Sequence, residues 1–198
     1  MTLEPVRCLN WYTRIKGTRH MTAPTDDQRA ALEAWFHDVR PDLEGKDWRA
    51  AFGARYPRLN LEDAPVPWTP APTDLRRVRL TLVGSSGLYL AGQRPFDTNA
   101  LRGDFSWRLV PVDADLTTSY LAHEHYDHTA ADTDRNSVFP LDRLRELVAS
   151  GEIGGLTANH FSFSGYLPDW AEVVDQFAPA LAERVIEQHP DAVLLVPV

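Results

Sequence analysis

Cysteine is nearly absent: Cys8 is the single thiol among 198 residues. An internal disulfide is therefore excluded, and a reducing, cytoplasmic location is the expectation. Positive charge is in short supply, with 20 Lys and Arg against 28 Asp and Glu, a net charge of −8. That balance, with no basic run, argues against a nucleic-acid partner. Long apolar runs are missing as well. Nothing approaches the roughly 20 residues that a membrane-spanning helix needs, so no membrane partner is expected. Arg7, Arg14, Lys16 and Arg19 interrupt the N-terminal region and leave no apolar signal segment. Phosphate-binding glycine patterns are absent too. Gly84-Ser85-Ser86-Gly87 matches neither the P-loop nor GxGxxG, so no nucleotide cofactor is expected.

What the chain does have is enough apolar residue, 43%, to bury a core. We expect a single domain, with residues 1–75 forming an N-terminal helix and connector packed on a core of residues 76–198. Asp26 to Arg40 carries an apolar stripe (Leu32, Trp35, Phe36, Val39) and ends at Pro41, the pattern of a helix. Five prolines between positions 42 and 75 mark an extended connector. Strands are expected at Val78–Val83, at Phe105–Val112 and near 115–122. Helices are expected at Phe139–Gly151 and at Asp169–Gln188, the latter kinked or restarted by Pro179. Ala192–Val196 reads as a buried parallel strand after a crossover helix. This order predicts an α/β fold, a three-layer sandwich with a central, largely parallel sheet and flanking helices.

His123-Glu124-His125-Tyr126-Asp127-His128 concentrates three imidazoles and two carboxylates in six residues. If the strand before it continues, His123, His125 and Asp127 share one face, since strand side chains alternate. His123, His125, Asp127 and His128 are thus the candidate metal ligands, with His160 as a further one. Two imidazoles and a carboxylate suit one divalent transition metal, zinc or iron, with an open position. The string matches the HxHxDH signature of the metallo-β-lactamase superfamily, but no bridging Asp in a matching context follows. The plainer alternative is a polar loop whose histidines are held by hydrogen bonds.

For a substrate, Ser85 and Ser86 sit in the turn after the first core strand, and Arg108 offers a bidentate partner to a carboxylate. Each has a structural alternative: Ser85 and Ser86 satisfying the turn, and Arg108 pairing with Asp104. No catalytic residue is identifiable.

Several ordered segments resemble one family: Gly103 to Arg108, His123 to Asp127, Asp134 to Leu144, Glu152-Ile153-Gly154, and His160 to Tyr166. Together they are similar to the selenoprotein B subunits of glycine, sarcosine, betaine and D-proline reductases, over about residues 78–198. The resemblance implies an oxidoreductase that attacks a small carboxylate- or amine-bearing metabolite with a cysteine or selenocysteine on a loop after a buried strand. Within this sequence only Pro197 and Val198 follow Val193–Val196, so the expectation is that these residues do not include that loop. Three readings stay open: a protein that binds or transforms such a metabolite without the redox nucleophile, a metal-dependent enzyme of oxygenase or hydrolase type built on the histidine cluster, and a non-catalytic substrate-binding subunit. A homo-oligomer or a partner subunit is expected with any of them.

Overall fold

The structure is a computed structural model that describes residues 69–198 apart from Leu101, Glu124 and His125, gives Trp170 by its backbone alone, and adds the helical positions Ala30 and Ala34. The chain divides into two compact units, Met1–Asn60 and Leu61–Val198. Residues 42–68 of the connector and the rest of the helix expected at 26–40 lie outside the described residues. All the described strands belong to the second unit.

The sheet of that unit is built around β1 (Arg79–Gly84), where Thr81, Leu82 and Val83 are buried. A short ribbon pairs β2 (Leu88–Tyr89) with β4 (Tyr120–Leu121). The sheet itself has five strands: β1, β3 (Trp107–Pro111), β5 (Gly155–Leu156), β6 (Asn159–Phe163) and β7 (Ala192–Val196). β7 runs beside β1 from Leu80 to Gly84. On the other side β1 pairs first with β5, at Arg79 and Leu80, and then with β6, at Val83 and Gly84. These three pairings are parallel, whereas β3 lies antiparallel to β6. The sheet is therefore mixed, and the fold is α/β in character.

Successive residues of a strand face opposite ways, and β1 feeds two cores. Leu82 packs with Leu88, Val110, Phe139, Leu141 and Leu144 on one side, and Val83 packs with Phe161, Phe177, Leu181 and Val185 on the other. The first cluster takes its helical residues from α2 (Leu141–Ala149), which follows the short α1 (Thr129–Thr133). The second takes them from a π turn (Val173–Phe177) and α4 (Ala178–Ile186), which continue the helix begun by α3 (Trp170–Glu172). Pro179 has no N–H to donate, and its ring crowds the carbonyl four residues back, so the helix widens just before it. That turn seats Phe177 against Phe105, Trp107 and Phe163, with ring centroids 6.0, 6.0 and 5.4 Å away.

Two expectations need correction. The strand expected near 115–122 shrinks to β4 at Tyr120–Leu121: Asp115 accepts hydrogen bonds from the Thr117 N–H and hydroxyl, Ser119 donates to the Leu116 carbonyl, and a 3₁₀ turn (Leu116–Thr118) replaces extended chain before it. β7 is parallel, as expected, but not buried, because among the described residues it has a neighbour on one side alone.

Candidate functional site

The turn Gly84–Gly87 joins three segments at the carboxyl ends of the parallel strands. Ser85 N–H donates to the Val196 carbonyl at 3.1 Å, and Ser85 Oγ accepts from Val198 N–H at 2.9 Å. Gly87 N–H donates to the Phe163 carbonyl, and the Gly87 carbonyl accepts from Ala122 N–H. Ser86 faces Ser164 across an isolated antiparallel bridge. Gly87 has φ +69°, and a Cβ there would lie 2.5 Å from the Ala122 carbonyl oxygen. Glycine is required by conformation and by contact alike. The N–H groups of Ser85 and Gly87 are thus engaged within the protein and do not face a ligand. Ser86 Oγ is another matter: the side chain is fully buried and its hydroxyl has no hydrogen-bond partner among the described residues, as is also true of Ser162 on β6. Buried hydroxyls without partners are uncommon and mark a place where a ligand or water completes the set.

The histidine segment lies against this turn without forming the expected alternating face. His123 is 4% exposed, and its Nε2 comes within 3.1 Å of where a Cβ on Gly165 would stand. The Tyr126 ring packs against two imidazoles, with centroids 5.0 Å from His123 and 4.3 Å from His128. Its hydroxyl donates to the Ser86 carbonyl at 3.2 Å, and burial pushes its pKa up to about 12. Asp127 turns outward instead. Its carboxylate accepts from the Thr129 hydroxyl and N–H at 2.7 and 2.9 Å at the start of α1, and these bonds hold its pKa below the usual carboxylate range. His123 and Asp127 therefore do not share a face, and His125 lies outside the described residues. Among the described residues no three His, Cys, Asp or Glu are grouped to hold a metal.

His160 is drawn into the interior. It is fully buried, and its Nδ1 accepts the Leu82 N–H at 3.0 Å, so the ring proton sits on Nε2. Burial, and then the charge of Arg145, lower its pKa to about 4. It replaces a main-chain acceptor where β1 passes from β5 to β6, and it lies in the sheet rather than in a ligand shell.

Arg108 binds the chain itself. Its guanidinium donates to the Arg94 and Pro95 carbonyls, to Ser106 Oγ and to the Trp107 carbonyl, and it lies 4.1 Å over the Phe96 ring. Asp104 stands 4.0 Å away. Burial works to raise the Asp104 pKa, but hydrogen bonds from Ser106 and from the Asp97 N–H, together with the Arg108 charge, bring it below its ordinary value. Arg108 thus fastens the 94–106 loop to β3. Beside that loop a small pocket opens between Asp97, Asp104, Ser164 and Tyr166, with His123 in its wall. Asp97 carries no motif that sequence reasoning could single out, whereas Ser164 lies in the His160 to Tyr166 segment that carries the resemblance and follows His160 and Ser162 with strand periodicity.

A family model described as glycine/sarcosine/betaine reductase selenoprotein B matches residues 50–198. The D-proline reductase subunit gamma of Acetoanaerobium sticklandii is 32% identical over 131 residues, 66% of this chain and 53% of that protein. The glycine reductase complex component B subunit gamma of Carboxydothermus hydrogenoformans is 32% identical over 132 residues, and that of Symbiobacterium thermophilum 30%; each alignment covers 66% of this chain and 30% of the relative. The chain thus spans about half the length of the first relative and less than a third of the other two. No solved structure matches. With the matched stretch running through the whole described sheet and its carboxyl-end turn, the chain belongs to the glycine/sarcosine/betaine reductase selenoprotein B family.

Proposed function

We propose that this chain is a substrate-binding module of a reductase complex. It takes a small metabolite bearing a carboxylate or an amine at the carboxyl end of the sheet, beside Ser85, Ser86 and His123. A three-layer sandwich around a largely parallel sheet is the form of the fold that goes with this reading, because ligands of such sheets bind outside the carboxyl ends of the strands. The observation that carries it is the pair of buried, unpartnered hydroxyls, Ser86 and Ser162, at that end of the sheet. The matched stretch 50–198 holds no cysteine, so the thiol or selenol for reductive cleavage comes from outside these residues.

Titration calorimetry of the purified chain with glycine, betaine and D-proline tests the binding. Saturable binding of at least one, lost in Ser86→Val with the fold intact by circular dichroism, is the expected result. No binding of any of them overturns the site. Turnover of these compounds by the purified chain with a dithiol as sole reductant overturns the assignment of the nucleophile.

The closeness of His123 and His128 to the same ring, that of Tyr126, favours a second reading. In it one zinc or iron ion is held by these imidazoles, with His125 and Asp127 completing the set after rearrangement. Metal analysis of untagged protein beside a His123→Ala, His125→Ala double variant decides it: near-stoichiometric metal lost in the variant supports it, and metal-free protein that takes up neither ion ends it.

A further inference from the structure

β7 is an edge strand of the described sheet that also carries an exposed, apolar face. Among the described residues it pairs with β1 alone. The Val196 carbonyl points toward β1, where it accepts the Ser85 N–H. In a ladder alternate residues turn their backbone groups the same way, so Val193 and Leu195 turn theirs to the outer side. The side chains of these same two residues are 42% and 69% exposed. From Ala192 to Val198 there is no charged side chain. β7 thus carries no lysine, inward charge or proline within its span, the devices that ordinarily blunt a sheet edge. Pro197, the next outward position after Leu195, has no N–H to donate and ends the available ladder.

The strand is also complementary to itself. A two-fold axis pairs a strand with its own copy in antiparallel fashion. With that axis at Leu194, Val193 of one copy stands opposite Leu195 of the second, and the reverse. The outward N–H and C=O of both residues then meet partners, and the four exposed side chains form one apolar patch. Charge selects the same place. Each copy carries a net charge of −8, so two copies repel over most of their surface, and this uncharged run lets them approach without facing like charges.

We propose that β7 is a docking edge for a second copy of this chain, pairing antiparallel about Leu194 so that the two sheets become one. The surface lies on sheet residues that the substrate-site reading does not use, so either stands without the other.

Sedimentation velocity of the full chain, from low micromolar to several hundred micromolar, tests it alongside Leu195→Lys. The wild type is expected to shift from monomer to dimer with concentration. The variant is expected to stay monomeric with an unchanged melting midpoint, because Leu195 is exposed in the single copy. Amide exchange supplies a second readout: the Val193 and Leu195 amides should slow with concentration, while those of Leu194 and Val196 do not. A wild type that stays monomeric throughout, a dimer that persists in Leu195→Lys, or Val193 and Leu195 amides indifferent to concentration overturns the proposal.

Discussion

Protonation of His160 removes the acceptor of the Leu82 N–H, and the size of that effect can be worked from the structure. The imidazole is fully buried, and its pKa falls from 6.5 to about 4. A shift of one unit corresponds to about 1.4 kcal/mol, so the neutral ring contributes on the order of 3 kcal/mol. The sign comes from proton linkage. Between pH 6.5 and 4 the unfolded chain binds a proton at this ring and the folded chain does not, so stability falls as the pH is lowered through that window, and above it the contribution is complete. Urea unfolding at a series of pH values measures this directly. His160→Asn is the informative variant, because Oδ1 of asparagine sits near the position of Nδ1 and accepts without titrating. Its stability should fall less than the wild type's across that window, by about 3 kcal/mol in total. His160→Leu leaves the Leu82 N–H buried without an acceptor and should cost about 1–3 kcal/mol at neutral pH. Equal pH dependence in wild type and His160→Asn would refute the argument.

Other substitutions test single contacts. Tyr126→Phe removes the hydroxyl bound to the Ser86 carbonyl and should lower stability by about 1 kcal/mol, read from the urea midpoint. In Gly84→Ala the new Cβ would stand 2.8 Å from the Phe139 ring, and the overpacked core should lose about 1–3 kcal/mol in the same assay. Arg108→Lys cannot reproduce a fork that reaches two loop carbonyls and Ser106, and should cost about 2 kcal/mol with faster proteolysis in the 94–106 loop; unchanged stability with weakened metabolite binding would return Arg108 to the ligand site.

Elements with a dominant pattern were legible in the sequence. The apolar spacing of Leu141, Leu144, Leu147 and Val148 yields α2, and the β-branched run at 78–83 yields β1 to within one residue. The stretch 115–122 looked extended because its composition suits a strand, but Asp115 and Ser119 offer the backbone side-chain partners that favour a turn. The histidine string was visible as letters, yet whether a residue points inward or outward depends on partners remote in sequence. His160 meets its hydrogen-bond donor 78 positions away, and Arg108 meets its carbonyl acceptors 13 and 14 positions upstream. No local periodicity encodes either. Asp127 shows the opposite case: its partner is two residues on, in an Asx turn that the sequence Asp127-His128-Thr129 already permits.

The interior role of His160 and the placing of the candidate site have one geometric origin. The offset between paired residues is 76 along β5, where Arg79 faces Gly155, and 78 along β6, where Gly84 faces Ser162, so two extra residues enter between the strands. Because strand side chains repeat every two residues, an even insertion leaves the faces unchanged, whereas an odd one would invert β6 and turn Phe161 out of its core. The cost is a gap in the ladder opposite Leu82, and the His160 ring fills it. Each residue of the insertion shifts the strand by roughly 3.3 Å, so the pair sets which residues of β6 stand beside the end of β1. With the offset kept at 76, His160 would face Gly84, and Ser162 and Ser164 would be carried two positions further past the end of β1. A histidine that looked from sequence like a ligand thus acts one step earlier, by holding the register that brings Ser162 level with Gly84 and Ser164 level with Ser86.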